Sequence, residues 1–309
     1  MSTYHASASI SIRQDIDDVY AYLRDLNNWP EWSPWLVCDP EVKVSIDNTS
    51  YAWEGEFAGN GRIEILKEQP HRKIDFKMVM KRPWKARSHL ALLLQEVDGE
   101  TQVTMTRAGK LPFYLFWMKE VMQQLVLMEF QRGLRMLKDL METGKVLSTV
   151  DFLGKQEVEG CYYVGVERHC AMESMEIAMR EDFAMLMDWV NEQPDSLLDE
   201  RGKQMFTLYD QWNLKHGVVH YRVCHPVKQL VDEVPHGFVR GKRDACAAQV
   251  IGHTGSYRHL ANAWSAATVR AQGRIFRGNG RNKPFEKYSS FPSEVGESSS
   301  VTLVCIPEK

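Results

Sequence analysis

The chain has 309 residues, 44% of them hydrophobic and 26% charged, with a formal net charge of -3. That length suffices for two domains of ordinary size, and the composition excludes a disordered or fibrous chain. The near-balanced charge gives no electrostatic reason for nucleic acid or an anionic membrane to be the main partner, although a local patch stays open.

Residues 1–10 show no basic segment leading into a long apolar run, so no secretory signal is expected. The most apolar stretch, residues 111–128, carries Lys119, Glu120, Gln123 and Gln124 and is too polar for a membrane span. Cys38, Cys161, Cys170, Cys224, Cys246 and Cys305 form no C-x-x-C pair, which fits free thiols in a reducing, cytoplasmic setting.

In chain order, residues 7–13 read as a strand, and Asp15 opens a helix over 16–26 with Val19, Tyr20 and Leu23 at helical spacing. Trp29, Trp32 and Trp35 then alternate with Pro30 and Pro34, which suits a tight turn or one-turn helix plugging the end of a core. Strand-like segments follow at 42–46, 51–57, 62–67, 73–80, 87–97 and 101–107, separated by breaks such as Asp98-Gly99, and together predict an antiparallel meander. A long helix is expected over 114–141, closed by Gly144.

The pattern Asp25, Trp29, Trp32, Pro34, Trp35, with a meander and a long terminal helix, resembles the START and polyketide-cyclase superfamily of helix-grip folds over residues 3–143. The resemblance implies an apolar ligand cavity, which Trp53, Phe57, Phe76, Trp84 and Trp117 would line; each is equally readable as plain core. His89 and Arg107 are its candidate polar anchors.

A boundary is expected near residue 148, giving domains 1–147 and 148–309. Beyond it the order strand, helix, strand, strand occurs twice: 161–169, 175–190, 204–212 and 218–224, then 247–253, a helix after Gly255-Ser256, 285–291 and 300–306. The fold class expected is therefore α+β, a helix-grip half followed by a duplicated β-α-β-β half. Aligning the third elements sets Phe206, Tyr209 and Trp212 against Phe285, Tyr288 and Phe291, with Thr207 opposite Glu286 as the asymmetric position. Strand alternation turns Glu286 and Tyr288 to one face. A carboxylate among aromatic walls either pairs with a cation or handles protons, whereas an acid on an edge strand merely solubilises it.

Gly255-Ser256-Tyr257, Leu260, Trp264, Pro284-Phe285-Glu286-x-Tyr288 and Val304-Cys305-Ile306-Pro307 resemble the GyrI-like family, the effector-binding domain of AraC-type and MerR-type regulators. The resemblance implies Glu286 as the acid and Tyr288 as its neighbour, binding lipophilic cations or, in an enzyme, supporting hydrolysis. Tyr209, Trp212 and Tyr163 are wall candidates from the repeat and strand position. No helix-turn-helix accompanies them, so a DNA-binding role is not supported. His216, His220 and His225 lack standard ligand spacing, no Gly-rich phosphate loop opens a helix, and no G-x-S-x-G elbow occurs. The expected activity is binding of small amphipathic or cationic molecules with no cofactor and no metal; the alternative is a hydrolase or cyclase with Glu286 as general base.

Overall fold

The computed structural model describes residues 3–82, 85–111, 113–198, 205–273 and 275–309. The chain divides into two compact units, Met1–Leu147 and Ser148–Lys309. Both combine helices with one large antiparallel sheet, an α+β arrangement.

The first unit runs β1 (Thr3–Ile12), α1 (Ile16–Arg24), a 3-10 turn at Leu26–Asn28, α2 (Trp29–Trp32) and α3 (Pro34–Cys38). There follow β2 (Lys43–Ile46), β3 (Ser50–Glu54), β4 (Asn60–Gln69), β5 (Lys73–Arg82), β6 (Ala86–Val97) and β7 (Glu100–Lys110). A 3-10 turn at Phe113–Met118 leads into α4 (Lys119–Thr143). The seven strands lie in the order β1-β7-β6-β5-β4-β3-β2. The β6–β7 hairpin turns on Asp98 and Gly99, both at positive φ (53° and 79°), the twist that two-residue hairpin turns require.

Alternation on β7 sends Thr101, Val103, Met105, Arg107 and Gly109 inward. The two short helices fill the end of this core as the tryptophan-proline run predicted. Trp29 meets Phe76 edge-on at 5.1 Å between ring centroids, and its indole N–H donates to the Leu23 carbonyl at 3.1 Å. Met122, Val126, Phe130, Leu134 and Leu137 form the buried stripe of α4. That helix begins later than the expected residue 114, because 113–118 wind as the tighter turn, and it ends where Gly144 takes φ 76°.

The second unit runs β8 (Ser148–Val158), β9 (Cys161–Ala171), α5 (Met175–Asn191), β10 (Phe206–Asn213), β11 (Val218–Val227) and β12 (Phe238–Arg243). It continues with β13 (Cys246–Gly255), α6 (Ala261–Gln272), β14 (Phe285–Tyr288), α7 (Pro292–Val295) and β15 (Val301–Pro307). Its eight strands lie in the order β12-β9-β11-β10-β14-β15-β13-β8. The sequence pattern does not announce β8 and β12; they are the two end strands, and most of their side chains face solvent. β14 lies between β10 and β15, so Glu286 does not sit on an edge.

One sheet face packs under the helices, where Val164, Val166, Tyr209, Tyr221 and Tyr288 join Leu186, Trp189 and Val190 of α5. The opposite face carries Tyr163, Phe206, Leu208, Cys224, Phe285 and Cys305. There the Arg243 guanidinium rests over the rings of Phe206 and Phe285, at 5.1 and 4.5 Å from their centroids.

Candidate functional site

Glu286 is the second residue of β14, paired across the sheet with Thr207 of β10 and Val304 of β15. It is 2% exposed, a position acids rarely occupy without a partner. The partners are all neutral donors. The Trp264 indole N–H donates to Oε1 and the Tyr288 hydroxyl to Oε2, each at 2.5 Å, and the Tyr209 hydroxyl makes a third hydrogen bond. The Thr207 hydroxyl lies 2.9 Å from the Tyr288 oxygen and donates to it, since the phenol hydrogen is committed to Glu286.

Burial raises the Glu286 carboxyl above the ordinary carboxylate range, while the bonds from Tyr288, Trp264 and Tyr209 oppose the rise. Among the described residues, no cation acts on it. Burial, reinforced by the Glu286 charge, likewise pushes the phenols of Tyr209 and Tyr288 well up, and that of Tyr257 upward.

Aromatic rings surround this carboxylate. Tyr209 meets Trp264 edge-on at 5.0 Å and stacks on Trp212 at 5.4 Å. Tyr288 meets Phe183 at 5.2 Å, Tyr257 at 5.9 Å and Phe291 at 5.9 Å. Tyr257 is exposed, and Trp212, Trp264, Phe183 and Phe291 are half-buried, so they form the layer between the carboxylate and solvent.

Of the expected wall residues, Tyr288, Tyr209 and Trp212 gather at Glu286. Tyr163 does not. Alternation along β9 puts it out of phase with Val164 and Val166, and it lies on the opposite face against Phe206, its hydroxyl accepting from Arg222. Sequence reasoning missed Trp264, Tyr257 and Phe183 as members of the cage. The signal available for Trp264 was its place on the apolar face of α6, since a buried indole N–H needs an acceptor.

In the first unit, Trp53 is buried, stacks on Trp35 at 5.5 Å and donates to the Ala58 carbonyl at 3.1 Å. Phe76 is fully buried and Phe57 half-buried. Trp117 is instead 61% exposed, because it belongs to the turn before α4 and not to the buried stripe of that helix. Trp84 lies outside the described residues. His89 reaches Asp75 at 2.9 Å on the half-exposed side, whereas Arg107 points inward, donates to Ser88 Oγ at 3.0 Å and lies over the Tyr4 ring. Burial lifts the carboxyl of Glu129 to about 7, against the pull of Arg107 and Arg132.

Among the described residues, Glu167, Asp210 and His220 place one donor atom each within 4.8 Å of the others. Both Asp210 oxygens are engaged by Arg222 at 2.7 Å, and Glu167 accepts from His220 at 2.7 Å, so both carboxylates already have donors within the protein.

Residues 3–142 match the family model described as polyketide cyclase / dehydrase and lipid transport. A comparison with curated proteins finds no match. Among solved structures, the chain is similar to EcmrR in its DNA complex (18% identity, 62% of this chain and 69% of that one, TM-score 0.44). It is also similar to the EcmrR C-terminal domain (17% identity, 53% of this chain and 98% of that one, TM-score 0.42). The Aha1 dimer from Colwellia psychrerythraea overlaps at 16% identity over 46% of this chain and 98% of that one, with a TM-score of 0.35. All three overlaps are partial.

Proposed function

We propose that this chain is a small-molecule-binding protein whose second unit takes amphipathic or cationic organic ligands between aromatic rings, with Glu286 as the counter-charge. The observation that carries this reading is a carboxylate 2% exposed, held by three neutral donors and matched by no cation among the described residues. A lipophilic cation supplies the missing charge, and the rings of Tyr209, Trp212, Trp264 and Tyr288 bury its apolar body. A neutral ligand of the same shape leaves the acid uncompensated, which is the basis for selectivity.

On this reading residues 148–309 form a duplicated GyrI-like domain. In support, the strand order β12-β9-β11-β10-β14-β15-β13-β8 reads equivalently from both ends once β9 is matched with β13 and β10 with β14. Residues 1–147 are read as a helix-grip domain for apolar ligands, supported by the match over 3–142 and by the buried stripe of α4.

A second reading rests on the raised carboxyl of Glu286 beside two phenols. An acid of that kind serves as general base toward a water, with Tyr209 or Tyr288 donating to the developing negative charge.

Incubating wild-type protein and Glu286→Gln with a panel of lipophilic cations and ester electrophiles, read by mass spectrometry, separates the two. Unchanged cations retained by wild type and lost by the variant support binding. Conversion that disappears in the variant supports hydrolysis, and indifference to Glu286 removes both.

A further inference from the structure

The first unit carries a surface feature that ligand burial does not use. Phe116 and Trp117 sit side by side in the turn before α4, 65% and 61% exposed, with Leu125 two turns on at 43%. Large aromatic rings this exposed are uncommon unless a partner covers them.

The surroundings say which kind of partner. The register pairs Met80 with Ala86, Ser88 with Gly109, and Thr3 with Lys110. The end of β5, the start of β6 and the end of β7 therefore share one end of the sheet, from which the aromatic turn departs. Lys81, Lys85, Arg87 and Lys110 are exposed at that end, and Lys119 follows the turn half-exposed. None of these five forms an ion pair with a described residue. Three acids share this end: Glu120 after Lys119, and the exposed Glu54 at the end of β3 and Glu56 in the connection to β4, where Arg82 adds a further cation that donates to the Gly55 carbonyl and to Asn60, so cations still outnumber acids. The chain as a whole carries -3, so this excess of cations at the sheet end next to the aromatic turn is a local reversal of its charge.

We infer that this end of the first unit docks on an anionic lipid surface, with Phe116 and Trp117 entering the headgroup layer and Lys81, Lys85, Arg87, Lys110 and Lys119 facing lipid phosphates. Aromatic rings favour that interface, and each nearby cation adds attraction that salt screens. Docking there needs no membrane-spanning helix, and no described helix is long and apolar enough to be one. Glu286 plays no part in it.

Flotation with vesicles of phosphatidylcholine, alone or mixed with phosphatidylglycerol, tests it on the full chain. Wild type is expected to float with the mixed vesicles, less so at raised salt, and not with phosphatidylcholine alone. Phe116→Ser with Trp117→Ser is expected to abolish flotation while leaving far-UV circular dichroism unchanged, since both rings are already outside the core. Lys110→Gln and Lys119→Gln are each expected to weaken it about fivefold. Absence of wild-type flotation, or flotation that survives the double serine variant, overturns the inference. So does a wild-type dimer that the serine variant converts to monomer without any vesicle binding, because a second copy then covers the rings.

Discussion

Thr207 and Glu286 face each other across the β10–β14 pair, a hydroxyl opposite a carboxylate inside the eight-stranded sheet. On one strand a hydroxyl donates toward Tyr288, and on the other a carboxylate accepts from it. The arrangement fixes the phenol between two polar groups and holds the acid at the centre of the sheet.

The buried acid is expected to weaken the ligand-free fold. The Glu286 carboxyl is raised above its unfolded value, so its contribution is fully present at pH below that value and is lost as pH rises through the folded one. Glu286→Gln keeps the shape and removes the charge. At neutral pH it is expected to raise the thermal midpoint by about 2–4 °C, equivalent to about 1 kcal/mol, with the difference vanishing toward acid. Calorimetric scans of both proteins across pH check this.

His253 is expected to make the second unit acid-labile. It is fully buried, with Ser148 Oγ 3.1 Å from Nε2, no described partner on Nδ1, and His259 near enough to oppose its charge. Burial first and His259 second lower it to about 4. A His depressed in the fold contributes stability above its unfolded pKa of about 6.5 and loses it as pH falls toward 4, up to about 3 kcal/mol. Urea unfolding of wild type and His253→Gln between those limits is expected to show a steeper pH slope in wild type.

Loss of Asp182 is expected to destabilise the second unit. The residue is fully buried on α5, where Arg168 reaches it at 2.5 Å and the Tyr221 hydroxyl donates to it at 2.8 Å. Asp182→Ala leaves the buried Tyr221 hydroxyl without its acceptor and leaves Arg168, about one-third exposed, with Glu181 as its remaining carboxylate, at about 1–3 kcal/mol. Chemical denaturation measures it; a loss below about 1 kcal/mol contradicts the assignment.

The elements most legible in the sequence were those with a strong period and a buried face. Alternation on β7 and the stripe of α4 could be read directly, as could the pairing of Glu286 with Tyr288 on one side of β14. Edge strands were not legible: β8 contains Gly154-Lys155-Gln156-Glu157 and β12 reads Phe-Val-Arg-Gly-Lys-Arg, and exposed strands carry no apolar alternation to betray them. The central place of β14 follows from its pairing with β10 and β15, which strand patterning alone does not state. Tyr163 falls outside the cage because its face depends on the phase of β9, and Trp264 enters it because α6 lies over the sheet. Both facts are tertiary.

The most direct measurement is calorimetric titration of wild type and Glu286→Gln with tetraphenylphosphonium, using neutral triphenylphosphine oxide as control. Wild type is expected to bind the cation, more tightly as rising pH ionises Glu286, and to release a proton on binding where the acid was still protonated. Glu286→Gln is expected to bind it at least about tenfold more weakly, and neither protein to prefer the oxide. Equal affinity of wild type and Glu286→Gln for the cation, with no pH dependence, would contradict the claim that Glu286 is the counter-charge.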